Sequence, residues 1–238
     1  MRKFLIVIGI LFIILAVLTE IVIPQTISGM LKTRIEGLTH SQEVDLSIDS
    51  SPRFLMATGQ IDKIHSEVKN GSIGEIEASN LSLDAENINV NMFSLLFGES
   101  ENAEKRNSIE NYLKSIGKVE MVGIINEENL KKFLEQKVSK LENLNVKITA
   151  EEIEATANVQ IMGRTADVEL SGLIIADEGD LYFRMTKLNV RNAILRHVQL
   201  DRFFGDIKIT DADKLPIGLK FENVELQDGQ AILTATRN

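Results

Sequence analysis

Between Gln25 and Leu38 the apolar residues Ile27, Met30, Leu31, Ile35 and Leu38 recur at helical spacing, with Lys32, Arg34 and Glu36 between them. That spacing predicts an amphipathic helix. The period then changes to two. Val44, Leu46 and Ile48 alternate with Asp45, Ser47 and Asp49, the signature of a half-buried strand. Ile64, Ser66 and Val68 share a face, and Asn70-Gly71 behind them predicts a hairpin turn. Ile76 and Ala78 lie on one parity and Leu81 and Leu83 on the other, which predicts a bulge or bend near Ser79-Asn80. Ile88, Val90 and Met92 follow.

Val119, Met121, Val122, Ile124 and Ile125 predict a more fully buried strand, and Ile153, Ala155, Ala157, Val159 and Ile161 form the cleanest alternation in the chain. Val168, Leu170 and Ile174 then lead through an Asp177-Glu178-Gly179-Asp180 turn to Leu181, Phe183 and Met185. The last strands are read on Ile217, Leu219, Phe221, Val224 and Leu226 and, beyond an Asp228-Gly229 turn, on Ala231, Leu233 and Ala235. A second helix is predicted from Asn126, a good cap, through Leu130, Phe133, Leu134, Val138 and Leu141, with Glu127 and Glu128 in its first turn. A third, weaker candidate covers Asn192 to Phe204, and Gly98 to Ser108 reads as a polar linker.

About ten strands, joined by short turns and accompanied by two or three helices, predict a mainly β (α+β) fold built on a closed or strongly coiled antiparallel sheet. A barrel wider than its own side chains holds a ligand. Ile, Leu, Val and Met dominate the apolar positions, with no Trp and two Tyr. Such an interior suits acyl chains, and an ordinary packed core carries the same pattern.

The N-terminus stands apart. Met1-Arg2-Lys3 precedes an apolar run from Phe4 to Leu18, and Ile21-Val22-Ile23 continues it to Pro24. Twenty residues of helix span roughly 30 Å, about one hydrocarbon core. Cations before the run place everything after Pro24 outside the cytoplasm. Residues 1–23 are therefore expected to be a membrane anchor or a signal peptide, and residues 24–238 a single extracytoplasmic β domain. No small-x-small cleavage site follows the run, which favours a retained transmembrane helix; cleavage would leave a secreted protein.

The chain of 238 residues carries a formal net charge of −9, and without residues 1–23 it carries −10. That balance argues against nucleic acid, which needs a basic surface. The absence of cysteine excludes disulfides, zinc–thiolate sites and thiol nucleophiles. There is no G-x-S-x-G, H-E-x-x-H or phosphate-binding glycine loop. His40, His65 and His197 are scattered among polar neighbours, and Asp211 and Asp213 lack the glycine and distal Glu of a calcium loop. No catalytic residue, metal site or cofactor is expected. One asymmetry does stand out. Residues 184–208 hold Arg184, Lys187, Arg191, Arg196, Arg202 and Lys208 against Asp201 and Asp206, a net of +4 in an otherwise acidic domain. These cations could receive an anionic head group beside an apolar slot, or pair with the acidic remainder.

Several of these features occur together in one family. They are the hydrophobic segment and its amphipathic helix, Val44 to Asp49, the Ser51-Pro52-Arg53-Phe54-Leu55-Met56 turn, and Gly59 with Ile61 and Ile64. To these are added the strand pair from Ile76 to Val90, the helix after Asn126-Glu127-Glu128-Asn129-Leu130, and Leu215-Pro216-Ile217-Gly218-Leu219 before Val224-Glu225-Leu226 and Gly229. The chain resembles the LmeA-like phospholipid-binding family of bacterial cell-envelope proteins over roughly residues 25–236. The resemblance implies an elongated β-barrel with an apolar cavity, similar in character to tubular lipid-binding proteins, and phospholipid binding without catalysis.

The expected function is therefore non-catalytic binding of a phospholipid or another lipid at the outer face of the cytoplasmic membrane. Apolar clusters at element ends are the candidate lipid contacts: Phe54, Leu55 and Met56; Phe93, Leu95, Leu96 and Phe97; and Ile194, Val198, Phe203 and Phe204. The head-group candidates are Arg184, Lys187, Arg191, Arg196 and Arg202. The rival from another class is a structural envelope protein with a solid core that binds a protein partner through a sheet edge. An envelope hydrolase comes third, lacking any nucleophile–base constellation.

Overall fold

The computed structural model describes residues 23–92, 94, 112–138, 141–161, 164–190 and 206–237. They gather into two compact units, one from residues up to 68 and 82–119, the other from 69–81 and 120–237.

In the first unit, α1 (Ile23–Thr39) leads into β1 (Glu43–Asp49). Ile27 is buried and Lys32 and Thr33 are exposed, as the helical spacing requires. His40, in the left-handed region at φ 55°, reverses the chain so that β1 runs back along α1, and the two elements pack together. Val44 is buried, Leu46 and Ile48 are half-buried, and Asp45 and Ser47 face solvent. A 3-10 turn, Arg53–Thr58, then leads into β2 (Gln60–Ile73), which lies between β1 and β3 (Ile76–Val90); β4 (Leu113–Ser115) also pairs with β3.

The second unit contains the tip of the β2–β3 hairpin, followed across the sheet by β5 (Val119–Asn126), β12 (Gln230–Arg237) and β11 (Lys220–Gln227). A second ladder runs β10-β9-β8-β7-β6, comprising β6 (Leu141–Ile148), β7 (Ile153–Ile161), β8 (Arg164–Asp177), β9 (Asp180–Val190) and β10 (Ile207–Thr210). The β7–β8 pairing is unbroken from Ile153↔Gly172 to Ile161↔Arg164. Helix α2 (Glu127–Lys137) is capped as expected. Asn126 accepts from the Asn129 N–H at 2.8 Å, and Asn129 accepts in return from the Asn126 N–H. The Asp177–Asp180 turn has Glu178 at φ 53° and Gly179 at φ 92°, the two positive angles of a tight hairpin.

The mainly β class with helices holds, and four expectations are corrected. Asn70-Gly71 is not the hairpin turn. Asn70 takes φ 51° inside β2, and the strand runs on to a turn at Gly74-Glu75, because Ile73 and Ile76 are both buried and extend the pairing. Helix α2 stops at Lys137, and Leu141 opens a strand; Leu144, Val146 and Ile148 are buried between exposed residues at 143, 145 and 147. Ile217 belongs to a 3-10 turn (Pro216–Gly218) with φ 59°, and its strand begins only at Lys220. Finally, of the closed and the strongly coiled sheet only the second is found: the sheet is curled but does not close into a barrel among the described residues, where β10 and β6 are the outer strands of one ladder and β11 is an end strand of the other. Packing of α2 on β6 and of β11 over β8 and β9 covers apolar surface without closure.

The parity switch in β3 is present. Ile76 and Ala78 are buried, then Leu81 and Ala85, then Ile88 and Val90 beyond Asn87 at φ 55°. Strand β5 alternates buried and half-buried residues throughout. The polar linker, the Asn192–Phe204 segment and residues 1–22 lie outside the described residues. Among the described residues no helix is long and apolar enough to cross a membrane.

Candidate functional site

The first apolar cluster sits on the Arg53–Thr58 turn. Met56 points inward at 2% exposure, Leu55 is half-buried and Phe54 is 52% exposed. Local bonds hold the turn: the Leu55 N–H donates to the Pro52 carbonyl at 3.0 Å, and Thr58 Oγ1 donates to the Leu55 carbonyl at 2.7 Å. At its end Gly59, at φ 92°, donates to Met56 and accepts from the Val90 N–H at 2.8 Å. The turn is thereby fastened to the last residue of β3. Beyond it the Asn91 N–H donates to the Tyr112 carbonyl at 2.7 Å, and Met92 packs beside Gly59. Phe54, Leu55 and Met56 therefore stand next to the strand end that leads into the second cluster. Phe93, Leu95, Leu96 and Phe97 lie outside the described residues, as do Ile194, Val198, Phe203 and Phe204.

Two cations of the basic stretch have carboxylate partners. Arg184 donates from Nε to Asp206 at 3.0 Å, and its Nη2 lies 2.9 Å from Asp206 and 3.6 Å from Asp177. Asp206 in particular raises its pKa. Lys208 bonds Asp180 at 2.8 Å and Asp211 at 2.6 Å and stands 5.3 Å from the Tyr182 ring centroid. Asp180 also accepts from the Ala212 N–H at 2.8 Å, and that bond, then Lys208, holds its carboxyl below the usual range. Lys187 is exposed on β9. Arg191, Arg196 and Arg202 lie outside the described residues.

A hub that the sequence did not reveal sits at the β2–β3 turn. Glu75 bonds both Lys137 and, at 3.0 Å, Lys214, and the two ammonium groups lower its pKa. The acid sensitivity of this network follows from the sign of the shifts. Glu75, Asp180 and Asp211 all have depressed folded pKa values. Their contribution is complete above the unfolded carboxylate range near pH 4 and is lost as pH falls through the folded values. The melting temperature is expected to be level from about pH 7 to about pH 5 and to fall below about pH 4. Asp180→Asn should make that acid-side fall shallower, measured by thermal melts across the range; an unchanged slope would contradict the assignment.

The solvent face of the second ladder is polar. Asn143 donates to Asn158 at 2.8 Å, Asn158 to Asp167 at 2.7 Å, and Asn189 to Glu169 at 3.3 Å. Shallow grooves of 270 and 300 Å³ follow these rows, the first reaching Glu154, Ser171 and Lys187. On the opposite face Ile153, Ala155, Ala157, Val159, Ala166, Val168 and Val190 are all buried.

Among the described residues no group of three His, Asp or Glu side chains is placed to hold a metal ion. On β2, His65 meets Asp84 through Nδ1 at 3.1 Å and Glu67 through Nε2 at 3.7 Å, and Lys63 lies 3.2 Å from Asp84. Partial burial raises the Asp84 pKa, but His65 and Lys63 together lower it further. The group reads as an ion-pair row across the more exposed face of β2 and β3.

The family model described as LmeA-like phospholipid-binding matches residues 18–236. No curated protein and no solved structure matches the chain.

Proposed function

Since the chain belongs to the LmeA-like phospholipid-binding family, we propose that it binds one phospholipid by burying the acyl chains against an apolar sheet face. The observation that carries this reading is the extent of the family match, which leaves out only the first 17 and last two residues of the 238. The apolar face of the β6–β9 ladder, which carries Ala, Val, Ile, Leu and Phe183, supports it, since each buried methylene contributes roughly 0.8 kcal/mol before ordering costs. Arg184 is already engaged by Asp206, so head-group recognition falls to Lys187, Arg191, Arg196 and Arg202. The protein acts without catalysis, on the outer side of the cytoplasmic membrane, held there by the apolar run Phe4 to Ile23.

Native mass spectrometry of protein purified from its own membranes tests both parts. The expected species is the uncut 238-residue chain with phospholipid bound. Titration of the same protein with a fluorescent phospholipid should show weak salt dependence, because chain burial is not screened. A steep loss of affinity with salt would transfer the role to surface charge. A lipid-free chain that retains a protein partner would favour the solid-core alternative.

A further inference from the structure

The described residues show two exposed large hydrophobics, Leu38 at 41% and Phe54 at 52%, and the chain path places them at opposite ends of the first unit. Only residues 40–42 join α1 to β1, and two elements that pack together across so short a connection run antiparallel. From Ile27 to Thr39 the helix rises about 18 Å, and from Glu43 to Asp49 the strand covers about 20 Å. The end of β1 is therefore level with the first turns of α1. The Arg53–Thr58 turn follows immediately and packs against α1. Phe54 thus lies at the end of the unit where α1 begins, and Leu38 at the end where it stops.

The start of α1 is also where the N-terminal segment arrives. The 22 residues before α1 are almost wholly apolar, with Arg2 and Lys3 at the far end and Glu20 near the close. If they span the bilayer, Pro24 emerges at its outer surface and the Arg53–Thr58 turn is the part of the unit beside it. The turn is built for that position. Met56 roots it in the core and Gly59 ties it to Val90, while Phe54 stands outward with Arg53 exposed next to it. Among the described residues Arg53 has no carboxylate partner. An aromatic ring with an adjacent guanidinium suits the boundary between acyl chains and phosphates.

We propose that the Arg53–Thr58 turn docks on the outer leaflet of the bilayer, with Phe54 inserted among the lipids and Arg53 at the phosphate level. This rests on the reading that the N-terminal segment anchors the protein. It makes this end of the first unit the membrane-facing one.

The chain contains no cysteine, so single labels can be placed at will. In the full-length protein, Ala57→Cys puts an environment-sensitive fluorophore on the turn and leaves Phe54 in place. Gln42→Cys puts it on the exposed α1–β1 connection at the other end. Both are reconstituted into vesicles of phosphatidylethanolamine and phosphatidylglycerol, some carrying a spin label near the head group. The Ala57 probe should shift to the blue and be quenched roughly twofold more than the Gln42 probe, as interfacial burial requires. Adding Phe54→Ser should reduce that quenching while the melting temperature holds, because the ring is half in solvent. A water-like Ala57 probe, equal quenching at both sites, or stronger quenching at Gln42 would each overturn the proposal. Vesicle flotation reports the anchor separately, and extracted phospholipid reports lipid binding separately. Loss of either is thereby distinguished from failure of the turn to dock.

Discussion

Gly59→Ala is expected to destabilise the first unit by about 3–6 kcal/mol. Gly59 sits at φ 92°, and a Cβ there would lie 2.0 Å from the Val90 carbonyl oxygen, 3.0 Å from the Val90 carbonyl carbon and 3.3 Å from Met92 Cγ. The first two obstacles are backbone, so no side-chain rotation relieves them. Left-handed backbone costs an L-residue about 1–2 kcal/mol, and forcing β2 and β3 apart adds roughly 1–3 kcal/mol. The Val90 N–H bond to the Gly59 carbonyl, worth about 1 kcal/mol, is lost if they separate. Gly218→Ala is the matched control, since Gly218 has φ 70° but nothing within 4 Å of the added carbon. It should cost about 1–2 kcal/mol, the backbone strain alone. Urea unfolding of both variants decides the matter, and equal losses would show that the contact with Val90 is not the cause.

Phe183→Ala is expected to cost about 3–5 kcal/mol in the second unit. Phe183 is 2% exposed on β9, and its ring lies over Gly172, whose added Cβ would meet Cζ at 2.5 Å. The glycine on β8 makes room for the ring, so removing the ring leaves a hole bounded by backbone that cannot collapse inward. For a chain of this length the loss corresponds to a fall of roughly 6–20 °C in melting temperature. Amide exchange in β8 and β9 should accelerate, and a melting temperature within about 2 °C of the parent would show that the site refills.

The elements read correctly from the chain share one property: their burial pattern is periodic over a single uninterrupted segment. α1, β1, β5 and β7 are of this kind, and so are the Asp177–Asp180 and Asp228-Gly229 turns. The misreadings came from residues whose local preference was real but satisfied differently. Asn70 does take the positive φ of a turn residue, yet inside a strand, where the buried parity passes from Ser66 and Val68 to Gly71 and Ile73. Leu141 fits the helical period of α2, yet it pairs with Val159 across β6 and β7. Local propensity is worth a few tenths of a kcal/mol to about 1 kcal/mol per residue, and strand pairing that buries Leu144, Val146 and Ile148 outweighs it.

The candidate site was legible in part. Phe54, Leu55 and Met56 stood out as an apolar group after a proline, but which of the three faces outward depends on the 3-10 geometry and its attachment to Val90. The basic stretch was legible as charge, whereas its pairing was not, because Asp177 and Asp180 fall outside it in sequence and beside it in the hairpin.

By itself, then, the sequence determined the mainly β class, the family, the amphipathic helix behind the apolar N-terminus and the faces of most strands. The class, the helix and the strand faces follow from the repeat of a helix or a pleat acting over a few neighbouring residues, and the family from the resemblance of its motifs. Only the tertiary structure decided that Gly59 abuts Val90, that Glu75 joins Lys137 and Lys214 across 62 and 139 residues of chain, and that the ladders stay open among the described residues. Those outcomes depend on contacts between distant segments, where the free energy of burial and pairing is summed over whole strands and no short stretch of sequence records the result.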